Sequence, residues 1–207
     1  DIVIRNMKLT EEGSFFDLEI EGEMFGSFEL PLYGEHMVMN AAAAITVVKE
    51  LGLKADTIKE LLKTFKNAKR RFAEQKVGDT VIIDDYAHHP TEIKVTLTAV
   101  RQKYPNKKLN VIFVPNTYSR TKDFLDEFVE SFKVADKVFL TEIRANREKQ
   151  EDYPGVTSHL ITERLEDAHI ISEENMNLVS SGNDQVVCFM GCAHIDDLID
   201  AYKEINK

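Results

Sequence analysis

A dense group of ionisable residues in this 207-residue chain is Asp84-Asp85-Tyr86-Ala87-His88-His89, led by the apolar run Val81-Ile82-Ile83 and closed by Pro90. Two carboxylates, a phenol and two imidazoles in six positions can ligate a metal, accept hydrogen bonds from a ribose, move a proton near neutral pH, or cap a helix. Capping and turn formation explain such aspartates as well as chemistry does; of His88 and His89, at least one reads as functional. Two more polar stretches follow apolar runs, Pro115-Asn116-Thr117-Tyr118-Ser119-Arg120 and Gly191-Cys192-Ala193-His194. Arg120 is either a two-pronged grip for a carboxylate or phosphate or a solvated surface arginine. Cys188, Cys192 and His194 have a spacing compatible with zinc, but no fourth ligand pairs with them in sequence. A buried strand cysteine plus a loop cysteine is the simpler reading.

The elements that must carry these residues follow from periodicity. Three consecutive β-branched residues suit a buried strand, and Pro90 suits the first turn of a helix, where its missing N–H costs nothing. From Val77 onward, strand-like runs (Thr80 to Asp84, Leu109 to Val114, Lys137 to Thr141, Ala168 to Ile171, Val186 to Met190) alternate with amphipathic helical patterns. The helices are expected over Pro90 to Tyr104, Thr121 to Val134 and Ile195 to Ile205, with core-facing stripes that include Phe124, Phe128 and Phe132. This predicts an α/β fold with a mostly parallel, Rossmann-like sheet. All three polar stretches then lie at carboxyl ends of strands and open on one edge, where open α/β sheets bind ligands. Upstream, residues 1 to 33 read as an antiparallel meander that needs something to pack against. Helices over Ala41 to Leu51, with His36 and Asn40 at its entrance, and Ala55 to Phe65, with Asp56 as cap, supply that partner. The second helix presents Ile58, Leu61, Leu62 and Phe65 as one apolar face. The basic segment Lys66 to Arg71 marks a boundary between a small α+β part (1–70) and the parallel-sheet domain (71–207). Glu142 to Gly155 reads as a long surface loop that can act as a lid.

Composition narrows the partners. With 43% hydrophobic and 30% charged residues the chain is an ordinary globular sequence, and its formal charge of -10 disfavours a nucleic-acid backbone or an anionic membrane. A small molecule is the expected ligand. Two cysteines, no leader pattern and no apolar run approaching the roughly 20 residues of a membrane span give the expectation of a cytoplasmic protein.

Gly34-x-His36-x-x-x-Asn40 before an alanine-rich helix, Lys69-Arg70-Arg71-Phe72, Asp84-Asp85-Tyr86-Ala87-His88-His89-Pro90-Thr91-Glu92 and Thr117-Tyr118-Ser119-Arg120-Thr121 resemble, in content and order, the Mur ligases, and most nearly the branch that adds L-alanine to UDP-N-acetylmuramate. The resemblance covers nearly the whole chain, from the tail of the family's central ATPase domain through its carboxy-terminal domain. It implies an ADP-forming ligase of peptidoglycan precursor synthesis: ATP phosphorylates the muramic carboxylate, and the amine of L-alanine attacks the acyl phosphate. It further implies that His36 and Asn40 hold adenine, Asp85 the ribose, and Arg71 the phosphates and transferred charge. Tyr86, His88 and Arg120 would line the amino-acid pocket, Arg120 gripping the carboxylate, with His88 and Arg71 as the catalytic pair. Mg2+ would arrive with ATP, and no metal ligands are assigned within the chain.

The pattern also departs from the family's. Met37 stands where an asparagine is usual, Asn116 where a histidine is usual, and the glycine-rich ending after the last strand is altered to Gly191-Cys192-Ala193-His194. No Gly-x-x-x-x-Gly-Lys-Ser/Thr phosphate loop occurs in the sequence, so the expectation is a carboxy-terminal part of a longer enzyme, folded but inactive alone. Three rivals remain at this level: a ligase that recycles murein tripeptide, a metal-dependent phosphohydrolase-like site on Asp84, Asp85, His88 and His89, and a nucleotide-binding module without catalysis.

Overall fold

Period-two burial organises the first strands. In β2 (Ser14–Ile20), Ser14, Phe16, Leu18 and Ile20 are buried while the residues between them are only partly covered, the signature of a sheet with one face on a core. β2 pairs antiparallel with β1 (Ile2–Leu9) and β3 (Glu23–Leu30). Glu21 and Gly22 join β2 to β3 with φ of 55° and 83°, the left-handed pair that a two-residue hairpin requires. The chain forms two compact units, 1–67 with 98–105, and 68–97 with the residues from 106 onward. The structure, a computed structural model, describes residues 1–206.

In the first unit the inner sheet face packs on α1 (Glu35–Glu50) and α2 (Ala55–Lys63). Phe16, Leu18, Phe28 and Leu30 share a core with Val38, Ala41, Ala42, Ile45 and Ile58, each of the larger side chains contributing about 1.5 to 3 kcal/mol of burial. Gln102, of the same unit, accepts from the Gly34 N–H at 2.7 Å and donates to the carbonyls of Thr10 and Gly13 at 2.9 and 3.1 Å. Three expectations are corrected here. α1 begins at Glu35, so His36 and Asn40 lie within its first two turns. Lys54 is the cap position of α2, and the Asp56 side chain pairs with Lys59 at 3.0 Å in place of a backbone N–H. Leu61 and Phe65 are exposed, since α2 buries only Ile58.

The second unit is built on six strands in the order β4-β5-β9-β6-β7-β8. These are β4 (Ala73–Val77), β5 (Thr80–Asp85), β6 (Lys108–Phe113), β7 (Lys137–Leu140), β8 (Ala168–Ile170) and β9 (Gln185–Met190). All neighbours pair in parallel except β4 with β5. β5 and β9 are buried at every position, as interior parallel strands covered on both faces must be. α3 (Pro90–Lys103) and the last helix, α6 (Ile195–Ile205), match their expected spans. The helix expected over 121–134 is instead two, α4 (Tyr118–Asp123) and α5 (Leu125–Phe132), broken at Phe124 with φ -117° and ψ 29°. The break turns Phe124 outward, where its ring lies 4.8 Å from that of His89, while Phe128 and Phe132 stay buried. Among the described residues no helix is long and apolar enough to cross a membrane.

Candidate functional site

Because β9 lies between β5 and β6, the three polar stretches stand side by side. The ladder continues past the strands: Gly191 N–H donates to Asp85 O at 3.2 Å and Val114 N–H to Met190 O at 3.0 Å. Asp85–His89, Gly191–His194 and Asn116–Arg120 therefore occupy adjacent positions along one sheet edge.

Arg71 is presented by strained backbone. Its neighbours Arg70 and Phe72 both adopt left-handed φ, 55° and 50°, a conformation that costs of order 1 kcal/mol or more for each non-glycine residue and survives only where the surroundings enforce it. The enforcement comes from β5. Arg70 O accepts from Tyr86 N–H at 2.9 Å, and Phe72 N–H donates to Asp85 Oδ2 at 2.8 Å. Asp85 Oδ1 accepts from Ala87 N–H at 2.9 Å and from the Thr96 hydroxyl at 3.3 Å. A carboxylate offers about four acceptor positions, so three contacts leave room for one more, on Oδ2. The Tyr86 ring has the guanidinium carbons of Arg70 and Arg71 at 5.4 and 5.3 Å from its centre, within cation–π range.

Arg70 was not singled out as a site residue from sequence, yet it ties the edge together. Its Nε donates to Asp84 Oδ1 at 3.2 Å, and its two terminal nitrogens donate to Gly191 O at 2.6 Å and Cys192 O at 3.5 Å. Burial pushes the Asp84 carboxyl above its ordinary pKa, and Arg70 opposes that rise. Gly191 has φ 155°, and a side chain there would come within 3.1 Å of Val114 Cβ.

The two histidines separate by role. His89 precedes α3; its Nδ1 accepts from Thr91 N–H at 3.3 Å and its own N–H donates to Glu92 Oε2 at 3.1 Å, a reciprocal cap of the helix start. His88 Nδ1 lies 3.1 Å from Tyr86 O and 3.3 Å from Glu92 Oε2. Both partners only accept, so Nδ1 carries a proton, and in the neutral form of the ring Nε2 is the acceptor. Burial raises the Glu92 pKa, but the N–H groups of His88 and His89 with the nearby charges outweigh it and hold this carboxyl below its ordinary value. The four side chains of the metal-site rival thus face different partners, and among the described residues no group of three or more His, Cys, Asp and Glu is arranged to hold a metal.

At the β6 end Arg120 donates from a terminal nitrogen to Asn116 Oδ1 at 2.7 Å, and Asn116 Nδ2 contacts Cys192 Sγ at 2.8 Å. Cys188, fully buried in β9, has its thiol pKa pushed well up by burial and then by Asp85 and Asp84; it is a core residue. Thr117 Oγ1 is buried with no hydrogen-bond partner among the described residues, a state that calls for a ligand or water. The 142–155 loop docks through Glu148, whose Oε2 accepts from Tyr118 N–H at 2.6 Å and Ser119 N–H at 3.0 Å and whose Oε1 accepts from the Ser119 hydroxyl. Tyr153 stacks on Tyr118 with ring centres 5.9 Å apart.

Partial burial works against a charged Glu148, but the Ser119 hydroxyl, the N–H groups of Ser119 and Tyr118 and the charge of Arg120 outweigh it, leaving the carboxyl below the ordinary glutamate range. A lowered folded pKa means the clasp is fully present above the ordinary value, about 4.3, and is lost as pH falls through the lowered one. The Tyr118 and Ser119 amide resonances are therefore expected to titrate below about pH 4.3, and Glu148→Gln to abolish that titration. Amides that stay unchanged through this window would show that Glu148 does not hold the loop.

The structure places Asp85, Tyr86 and His88 at the β5 end, Arg71 on the turn that Asp85 pins, and Arg120 at the β6 end, all within the second unit. His36 and Asn40 belong to the first. Residues 69–199 match the model of the family described as "Mur ligase, glutamate ligase domain", which is well over half of the chain. The chain belongs to the Mur ligase family. Members of this family are ATP-dependent ligases. Among solved structures, the chain is similar to UDP-N-acetylmuramate-alanine ligase MurC from Thermotoga maritima, with a TM-score of 0.80 and 23% identity over 99% of this chain and 45% of that one. MurF ligase from Thermotoga maritima in complex with ADP gives a TM-score of 0.72 and 20% identity over 99% and 46%. Folylpolyglutamate synthase from Thermotoga maritima gives 0.62 and 18% over 99% and 46%. At such identities the likeness establishes the fold, a mostly parallel sheet as expected from sequence, though of six strands where five were expected, and the neighbours span several ligases. This chain spans a little under half the length of each of these Mur ligase-like structures.

Proposed function

We propose that this chain contributes the amino-acid site and part of the nucleotide site of a cytoplasmic, ATP-dependent ligase that adds L-alanine to UDP-N-acetylmuramate. The observation that carries the reading is the adjacency of three strand ends bearing Asp85 to His88, Asn116 to Arg120 and Gly191 to Cys192 in a chain of this family. Within it, the guanidinium of Arg120 is a planar fork of donors matched to a carboxylate, and one bond to Asn116 does not exhaust it. His88, whose Nδ1 proton faces two acceptors, would in its neutral form offer Nε2 to take a proton from the alanine ammonium, as a nucleophilic amine requires. The unpartnered Thr117 hydroxyl lies at the same strand end.

For the nucleotide, Asp85 Oδ2 retains one acceptor position suited to a ribose hydroxyl, and Arg71 is held on an enforced turn from which it would neutralise phosphate charge. His36 and Asn40, on the first turns of α1, are assigned to adenine. Mg2+ would neutralise phosphate oxygens and is taken to travel with ATP. Phosphoryl transfer is positioning and charge neutralisation together, and the sequence holds no phosphate loop of the usual pattern. The 207 residues alone are therefore expected to release no ADP when given ATP, magnesium, UDP-N-acetylmuramate and L-alanine, whereas the complete gene product releases ADP only with both substrates. Turnover by the 207 residues alone, or none by the complete product, would overturn this reading.

A further inference from the structure

We propose that Asn116 and Cys192 are positioning residues for Arg120, and that this pair sets how tightly the site holds the carboxylate of its amino-acid substrate; the inference rests on the ligase reading. A guanidinium only donates, so the Asn116 amide atom that meets Arg120 at 2.7 Å is Oδ1. That orientation turns Nδ2 toward Cys192, where it donates to Sγ at 2.8 Å. Both ends of the amide are engaged, and the arginine is coupled through it to the loop after β9.

The coupling has a firm base. β6 and β9 are paired in parallel with Phe113 opposite Met190, and Arg70 holds the carbonyls of Gly191 and Cys192 at 2.6 and 3.5 Å. Asn116 and Arg120 are one helical turn apart across the start of α4, the spacing at which side chains meet. A long arginine side chain loses its rotamer freedom when it is fixed, and here much of that loss precedes substrate binding, which is how preorganisation raises affinity. A leucine at 116 would fill similar space and engage neither neighbour. Serine at 192 would still accept from the amide; valine would not.

In the complete gene product, Asn116→Leu is expected to raise the KM for L-alanine about tenfold, with kcat changed less than about twofold and the KM for ATP unchanged. Cys192→Val should raise the alanine KM about threefold, and Cys192→Ser should restore it to within about twofold of the parent. In the 207-residue chain, the Arg120 Nε–H signal is expected to be ordered in the parent and to show the increased fast motion of a free side chain in Asn116→Leu. An unchanged alanine KM in Asn116→Leu beside a large rise in Arg120→Ala overturns the positioning role and leaves the ligase reading intact. No rise in Arg120→Ala overturns the positioning role together with the assignment of Arg120 to the carboxylate, whereas a parent that releases no alanine-dependent ADP overturns the ligase reading. Equal rises for alanine and ATP, with Arg120 still ordered, would mark Asn116 as a general structural residue and also overturn the proposal.

Discussion

Arg120→Ala in the complete gene product is expected to raise the KM for L-alanine about a hundredfold while the KM for ATP stays within about twofold. The size follows from the bond removed: charge-assisted hydrogen bonds to a carboxylate contribute about 1.5 to 3 kcal/mol each, and every 1.4 kcal/mol is tenfold. Lysine keeps the charge but loses the planar fork, so Arg120→Lys should fall between, at about tenfold. The selectivity for alanine over ATP is the informative part. Arg120 is bound to Asn116 at the β6 end, whereas the residues assigned to ribose and phosphates, Asp85 and Arg71, sit at the β5 end. Equal effects on both substrates would show that Arg120 acts on the fold of the edge and not on the amino acid.

Arg70→Ala is expected to destabilise the second unit by about 3 kcal/mol, because it leaves a buried carboxylate without its partner and two strand-end carbonyls without a donor. Asp84 is 9% exposed and pairs with Arg70 at 3.2 Å. Its pKa is raised by burial first, with Arg70 limiting the rise. For such a group the stability contribution is fully present below the ordinary aspartate value, about 3.9, and is lost as pH rises through the raised one. Without Arg70 that loss grows, so the deficit of Arg70→Ala should widen as pH rises from about 4 to 7. Adding Asp84→Asn should recover part of it by removing the unpaired charge. The midpoint of urea unfolding, with its slope unchanged, measures the effect. A shift equivalent to less than about 1 kcal/mol, or one independent of pH, would show that the Arg70–Asp84 pair does not hold the edge.

Much of the second unit was legible because interior parallel strands are continuous apolar runs. Val81 to Ile83 and Val186 to Met190 could be drawn as buried strands directly, and their polar ends followed. β4 escaped because it is a polar edge strand, Glu74-Gln75-Lys76, whose side chains face water and carry no alternating pattern. The split of the 121–134 helix escaped for the opposite reason. Phe124, Phe128 and Phe132 keep helical spacing, yet Phe124 turns out to pair with His89, a preference of tertiary contact over periodicity.

At the site, the residue types were legible but their partners were not. From sequence Asp85 reads equally as a capping or turn residue and as a ligand acceptor; the fold commits three of its acceptor positions to Phe72, Ala87 and Thr96. His89 and Glu92 do carry a local signal, a capping pair three residues apart ahead of an apolar helix. Glu148 carries none, since its partners Tyr118 and Ser119 lie 30 and 29 residues away. The contact of Asn116 with Cys192 depends on β9 lying beside β6, a strand order that succession along the chain does not reveal.

The most direct test of the central claim is to identify the bond that is made. The complete gene product, incubated with ATP, magnesium, UDP-N-acetylmuramate and 15N-labelled L-alanine, is predicted to yield UDP-N-acetylmuramoyl-L-alanine carrying the label in its new amide, with one ADP released per amide formed. Formation of no such product, while a murein tripeptide or a different amino acid is ligated instead, would contradict the assignment of this site to L-alanine.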